Sequence, residues 1–127
     1  MARILIVDDD EMDRALLAEV LQKAGHEPLF APDGKVALGI WRNSKVDLVV
    51  TDIVMPELDG LELLKSLKAE DPKARVIAVS GVSAEKLNKA ARSGALAVLT
   101  KPVNPHELLG EISRALQETE AGEDTGP

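Results

Sequence analysis

Five short apolar runs punctuate the chain, at residues 4–7, 28–31, 46–51, 76–79 and 96–99. Between and after them, apolar residues recur at helical spacing: Leu16, Leu17, Val20, Leu21 and Ala24; Leu61, Leu64 and Leu67; Leu87, Ala90 and Ala91; Leu108, Leu109, Ile112 and Leu116. The runs are bounded by turn residues or charges, and most are rich in Val, Ile or Leu, which is the pattern of strands buried on both faces. The periodic segments read as helices with one dry face, 34–42 being the least regular of them. Five-fold alternation of this kind predicts a parallel sheet with right-handed crossovers and helices on both faces. The punctuation agrees. Gly25 and Gly94 stand where the first and fourth helices should end, supplying the left-handed backbone a C-cap favours, and Asp10 can cap the first helix with Asp13 three positions later.

Composition narrows the function classes. A chain of 127 residues with 45% hydrophobic content suits one compact domain, and no stretch is long enough to cross a bilayer. No secretory signal is visible before the first apolar run, so a cytoplasmic location is expected. Without cysteine there is no disulfide framework or thiolate metal site, and His26 and His106 alone cannot build a zinc centre. The net charge of −7 is largely local: the end "QETEAGEDTGP" holds Glu118, Glu120, Glu123 and Asp124 with no base. That composition predicts a solvated, disordered tail over 118–127 behind a domain over 1–117. The body has no basic excess to attract phosphate backbones, so neither nucleic acid nor a membrane is an expected partner.

In a sheet of this class, ligands bind beyond the carboxyl ends of the strands. The residues found there are Asp8 and Asp9 after the first run, Asp52 after the third, Ser80 after the fourth and Lys101 after the fifth. The second run ends near Pro32 with nothing comparable, as expected of a strand at an edge away from the site. Three carboxylates within ~4 Å would repel by ~4 kcal/mol per pair at a surface-like dielectric, so a cation is required. Lys101 and a divalent ion together balance Asp8, Asp9 and Asp52. Oxygen-only ligands select a hard ion, Mg2+ in the first place, with Mn2+ able to substitute. A carboxylate beside Mg2+ and a lysine is either a ligand only or a nucleophile toward phosphorus. Electrostatics favours the second: Mg2+, Lys101 and the Ser80 hydroxyl could each take one equatorial phosphoryl oxygen while Asp52 forms an acyl phosphate.

At this point the chain resembles the receiver domain of two-component response regulators, from Arg3 to about Leu116. The resemblance is carried by "ILIVDDDE", "DLVVTDIVMPELDG", "VIAVSG" and "LTKP", which are highly specific together at this order and spacing. It implies a flavodoxin-like α/β fold: a doubly wound five-stranded parallel sheet in the order 2-1-3-4-5, with five helices. It implies Asp52 as the phosphoacceptor, Asp9 as a direct metal ligand, Asp8 as the holder of metal-bound water, and the Val54 backbone carbonyl as a further ligand. Ser80 matches the switch hydroxyl, with Gly81 beside it at the phosphoryl-binding rim, and Lys101 matches the cation that pairs with the phosphoryl group. A cis peptide at Lys101–Pro102 is common in the family.

Two departures bear on switching. The family usually has an aromatic three residues before the lysine, where this chain has Val98, so the Ser80 step is expected to pass through backbone shifts of the loop from Gly81 to Ala84. The resemblance implies that Val54 and Val82 occupy positions flanking the approach of the hydrolytic water; being apolar they cannot orient it, which predicts a longer-lived phosphoryl group than a polar pair would give. Val103, where phenylalanine is frequent, carries little weight. Other features have plain readings: Asp10 as a helix cap, Asp59–Gly60 as a turn, Met55–Pro56 as a rigid loop over the site, Trp41 as a packing residue and His106 as a solvated one.

Three functional classes follow. The leading one is a phosphoacceptor switch served by a sensor histidine kinase or a histidine phosphotransfer protein, without turnover of external substrates. The alternative is a receiver-like binding module that works without phosphate, against which the complete set of acids, hydroxyl and lysine argues. A phosphatase of the haloacid-dehalogenase type needs an acid two residues after its nucleophile, and Val54 stands there. The resemblance places the downstream partner surface, and phosphorylation-dependent homodimerisation, at the fourth helix, fifth strand and fifth helix, where "SAEKLNKAARSG" and "NPHELLGEISRAL" mix charges without an apolar stripe. The chain is expected to be a stand-alone regulator or the amino-terminal piece of a longer protein.

Overall fold

A computed structural model describes the backbone of residues 2–55, 57–81 and 84–124, and the side chains of the same residues except 84 and 118–124. Ten elements alternate: β1 (Arg3–Val7), α1 (Glu11–Lys23), β2 (Glu27–Ala31), α2 (Gly34–Asn43), β3 (Leu48–Asp52), α3 (Gly60–Glu70), β4 (Val76–Ser80), α4 (Ala84–Arg92), β5 (Ala97–Thr100) and α5 (Pro105–Asp124). The strands form one parallel sheet in the order β2-β1-β3-β4-β5, the expected doubly wound topology. Its register sets Val7 beside Thr51, Asp52 beside Val79 and Ser80 beside Thr100, so the carboxyl ends of the four strands β1, β3, β4 and β5 share one rim.

Two apolar layers sandwich the sheet. One joins Leu5, Val7, Val49, Val76 and Ala78 to Leu63, Leu64 and Leu67 of α3 and to Leu87 and Ala90 of α4. The other joins Ile4, Ile6, Val50, Ile77 and Val79 to Ala18 and Leu21 of α1 and to Leu108, Ile112 and Ala115 of α5. Alternate residues of each strand feed opposite layers, as the two-residue strand period requires. Trp41 is half-buried against the first layer and His106 is exposed.

The helix boundaries follow local chemistry. Asp10, Asp33 and Asp59 each sit in extended backbone and accept N–H bonds from the first turns of α1, α2 and α3. Gly25 and Gly94 have φ of 88° and 108°, the left-handed geometry expected at the ends of α1 and α4. The Lys101–Pro102 peptide bond is cis.

Several expectations need correction. Only the central strands β1, β3 and β4 are buried nearly throughout; β2 and β5 are edges, and Phe30 on β2 stays 47% exposed. An edge strand has a covered face and an open one, which an apolar run alone does not reveal. The dry face of α1 is rotated from the expected one: Ala18 and Leu21 are buried, while Leu16 and Ala24 are exposed. Asp52 and Ser80 are the last residues of their strands rather than the first beyond them. Finally, the helix α5 runs on to Asp124, past residue 117, where the domain was expected to end, through the helix formers Glu118, Glu120 and Ala121.

Candidate metal and phosphoryl site

The rim brings together side chains far apart in sequence. Carboxylate oxygens of Asp8, Asp9 and Asp52 lie within 4.8 Å of one another. Asp8 and Asp52 are buried, while Asp9 faces solvent. Lys101 reaches this corner from β5: its Nζ donates to Asp8 Oδ2 at 2.9 Å and to Asp52 Oδ2 at 3.0 Å. A third donation, 3.1 Å long, goes to Asp13 Oδ2 in the first turn of α1. An ammonium has three protons, and all three are committed to carboxylates.

Local backbone geometry holds the acids in place. The Asp10 N–H donates to Asp8 Oδ1 at 2.9 Å, and Arg14 Nη1 donates to the Asp8 carbonyl oxygen. Asp10 itself turns away from the cluster and caps α1, accepting from the Met12 and Asp13 N–H groups at 2.8 and 3.2 Å. The strand end at Asp52 is clamped by α3: the Gly60 N–H donates to the Ile53 carbonyl at 2.8 Å, and a Cβ at Gly60 would fall 2.1 Å from the Asp52 carbonyl oxygen. Only glycine permits that approach. On the other side the Lys101 N–H donates to the Ser80 carbonyl at 3.0 Å, which ties the lysine to the end of β4.

Ser80 is buried at that strand end, 1% exposed, with exposed Gly81 next to it. Val54 exposes 45% of its surface two residues beyond Asp52. Val98 pairs with Ala78 across the sheet and packs half-buried on the α3–α4 layer. Val82 and Pro56, invoked for hydrolysis and for the loop over the site, lie outside the described residues, as does the middle of the loop from Gly81 to Ala84.

Electrostatics at the corner is strained in one direction. Burial raises the Asp8 carboxyl above its ordinary value, and the hydrogen bonds from the Asp10 backbone and Lys101 offset this only in part. Burial also acts against the Lys101 ammonium, but its bonds to Asp8, Asp52 and Asp13 outweigh it and hold the lysine protonated well above the ordinary lysine range. Asp13 is the residue sequence reasoning missed as part of this corner. Its position in the sequence suggests the helix cap, which its backbone N–H does join, whereas its side chain pairs with the lysine. It also corrects the charge balance: with four carboxylates against Lys101, a divalent ion leaves the corner at about −1 rather than neutral. The donor set is all oxygen and its excess charge is negative, which fits a hard divalent cation held by Asp8, Asp9 and Asp52.

The sequence pattern of the response regulator receiver domain matches residues 4–113. The chain belongs to the response regulator receiver family. Among similar proteins, a response regulator receiver protein of Anaeromyxobacter sp. (strain Fw109-5) is 40% identical over 104 residues, covering 81% of this chain and 44% of its own length. The receiver protein CpdR of Brucella abortus (strain 2308) is 35% identical over 117 residues, covering 91% of this chain and 98% of its own. The crystal structure of a CheY-like receiver domain protein from Methanospirillum hungatei JF-1 superposes with a TM-score of 0.90 at 34% identity, over 96% of this chain and 98% of that one. This receiver therefore spans nearly all of some relatives and less than half of others. Receivers are signalling modules of two-component systems rather than classical enzymes, and they work with histidine kinases and downstream effectors. Among the described residues, no helix of this receiver is long and apolar enough to cross a membrane.

Proposed function

We propose that this receiver accepts a phosphoryl group on Asp52 from a phosphohistidine of a sensor kinase or a histidine phosphotransfer protein, and that the acyl phosphate so formed is its signal. The observation that carries this is the Asp52 carboxylate held 3.0 Å from the Lys101 ammonium, within a corner whose other acids can take a divalent cation. An Asp52 oxygen attacks phosphorus, an O–P bond forms as the N–P bond to the donor breaks, and the electron pair leaves with the donor imidazole.

Asp9, Asp52 and the Val54 carbonyl would hold Mg2+ directly, with Asp8 holding metal-bound water, and Mn2+ can replace Mg2+; the bound cation would supply charge neutralisation at the phosphoryl oxygens. Lys101, the Ser80 hydroxyl and the Gly81 backbone take the remaining charge on those oxygens. With Val98 in place of an aromatic, the change at Ser80 passes outward through the backbone that follows it, toward a face made of α4, β5 and α5. There a downstream protein, or a second phosphorylated copy, docks. The receiver works in the cytoplasm, where its donor's phosphohistidine is formed. It turns over no external substrate, since Val54 stands where a general acid for hydrolysis would be needed.

Incubation with acetyl phosphate and Mg2+, followed by intact mass measurement, tests this reading. Wild type should gain one phosphoryl mass and Asp52→Asn none. Absence of added mass on wild type would overturn it.

A further inference from the structure

Phosphorylation at Asp52 uses Asp8, Asp9, Ser80 and Lys101, and leaves one member of the corner without a role. Asp13 Oδ2 lies 3.1 Å from Lys101 Nζ, and its side chain is 40% exposed, against 3% for Asp8 and 9% for Asp52. The three Lys101 protons are already placed on three carboxylates, so a phosphoryl oxygen can gain the lysine only if one of them gives it up. Asp8 is the costly partner to abandon, because a buried carboxylate stripped of its cation is strongly penalised. Asp52 carries the incoming group and keeps it beside the lysine. Asp13 can be released cheaply: water solvates it, exposed ion pairs of this kind are weak, and the first turn of α1 favours a negative charge. The phosphorylated aspartate also carries one more negative charge than the free carboxylate, which pushes Asp13 outward.

We propose that Asp13 is the exchangeable counter-ion of Lys101, holding the lysine while Asp52 is unmodified and yielding it when a phosphoryl group arrives. This rests on the phosphoacceptor reading and adds a positioning residue to it. The exchange also gives the site a route to the surface that does not need an aromatic at Val98. Asp13 lines a cleft of about 560 Å³ between α1 and α5, together with Leu16, Leu17, Val103 and Leu108. In the unmodified protein Asp13 is paired with Lys101, and in the phosphorylated protein that cleft carries a free carboxylate at Asp13.

The full chain is tested with Mg2+ and beryllofluoride, a phosphoryl mimic, by calorimetry, alongside phosphorylation by acetyl phosphate read by intact mass. Asp13→Asn should bind the mimic up to about fivefold more tightly than wild type, the factor that an exposed ion pair of about 1 kcal/mol yields. Asp13→Glu, which keeps the charge, should return toward wild type, and Glu11→Gln, which removes a first-turn charge not among the three on Lys101, should stay within about twofold. Asp13→Ser replaces Asp13→Asn if the latter melts early. A crystal structure with Mg2+ and beryllofluoride should show the Lys101–Asp13 pair broken. Retention of that pair, or equal effects of Asp13→Asn and Glu11→Gln, would overturn the inference while leaving phosphorylation at Asp52 intact. Wild type that neither gains phosphoryl mass nor binds the mimic would overturn both.

Discussion

Gly60 and the Asp52 carbonyl are in direct apposition: the helix that follows the acceptor strand starts so close to it that a Cβ at Gly60 would lie 2.1 Å from that oxygen and 2.7 Å from the Ile53 Cα. Both neighbours are backbone and cannot step aside as a flexible side chain would. Gly60→Ala should therefore destabilise the protein by about 2–3 kcal/mol, as overpacking of a rigid site does. Urea unfolding checks this, with Gly110→Ala as the contrast. Gly110 lies in α5 with open space where its Cβ would be, and that change should stabilise by up to about 1 kcal/mol.

Asp10 and Asp9 are neighbours in sequence with separate tasks. Asp10→Ala removes the cap of α1 and should lower stability by about 1 kcal/mol, while Mg2+ affinity stays within about twofold of wild type. Calorimetric titration of Mg2+ on both proteins decides it; a large loss of affinity would make Asp10 part of the metal site.

Asp8 sets a pH dependence whose sign runs opposite to that of most carboxylates. Its folded-state pKa is raised above the ordinary 3.8, so the folded protein binds the proton more tightly than the unfolded chain does. That contribution is fully present below the unfolded value and is lost as pH rises through the window between 3.8 and the folded value. At neutral pH in EDTA, Asp8→Asn should accordingly raise the urea midpoint, and its advantage should shrink as pH falls toward 3.8. A variant midpoint below wild type at pH 7 would contradict this.

Val54 bears on how long the phosphoryl group survives. An apolar, 45% exposed side chain two residues past Asp52 cannot hold a water in line for attack. Val54→Asn should hasten loss of the phosphoryl mass severalfold after removal of acetyl phosphate, below the roughly 100-fold that accurate positioning of a reacting group can supply. An unchanged decay would assign the lifetime to other residues.

What was legible in the sequence, and what was not, divides along physical lines. The sheet and its rim could be read because strand periodicity and the parallel βαβ rule act locally and then constrain topology; Asp8, Asp9, Asp52 and Lys101 fell on one rim by that logic alone. Asp13 could not be read. Whether a first-turn acid faces inward depends on how α1 is rotated on the sheet, and that rotation is set by Ala18 and Leu21 packing on Ile4, Ile6 and their neighbours rather than by the more apolar-looking Leu16. The close approaches at Gly34 and Gly60 were hidden for a related reason, since each glycine meets backbone from elsewhere in the chain.

Lys101 is separated from Asp8 by 93 positions, and it directly follows β5, an edge strand of the sheet. A ribosome makes the acids of the corner before their cation, so the nascent chain holds Asp8, Asp9 and Asp52 without the Lys101 ammonium until β5 docks. Adding the last strand and supplying the corner with its lysine are thus one event. An unfinished copy presents these acids without their counter-charge.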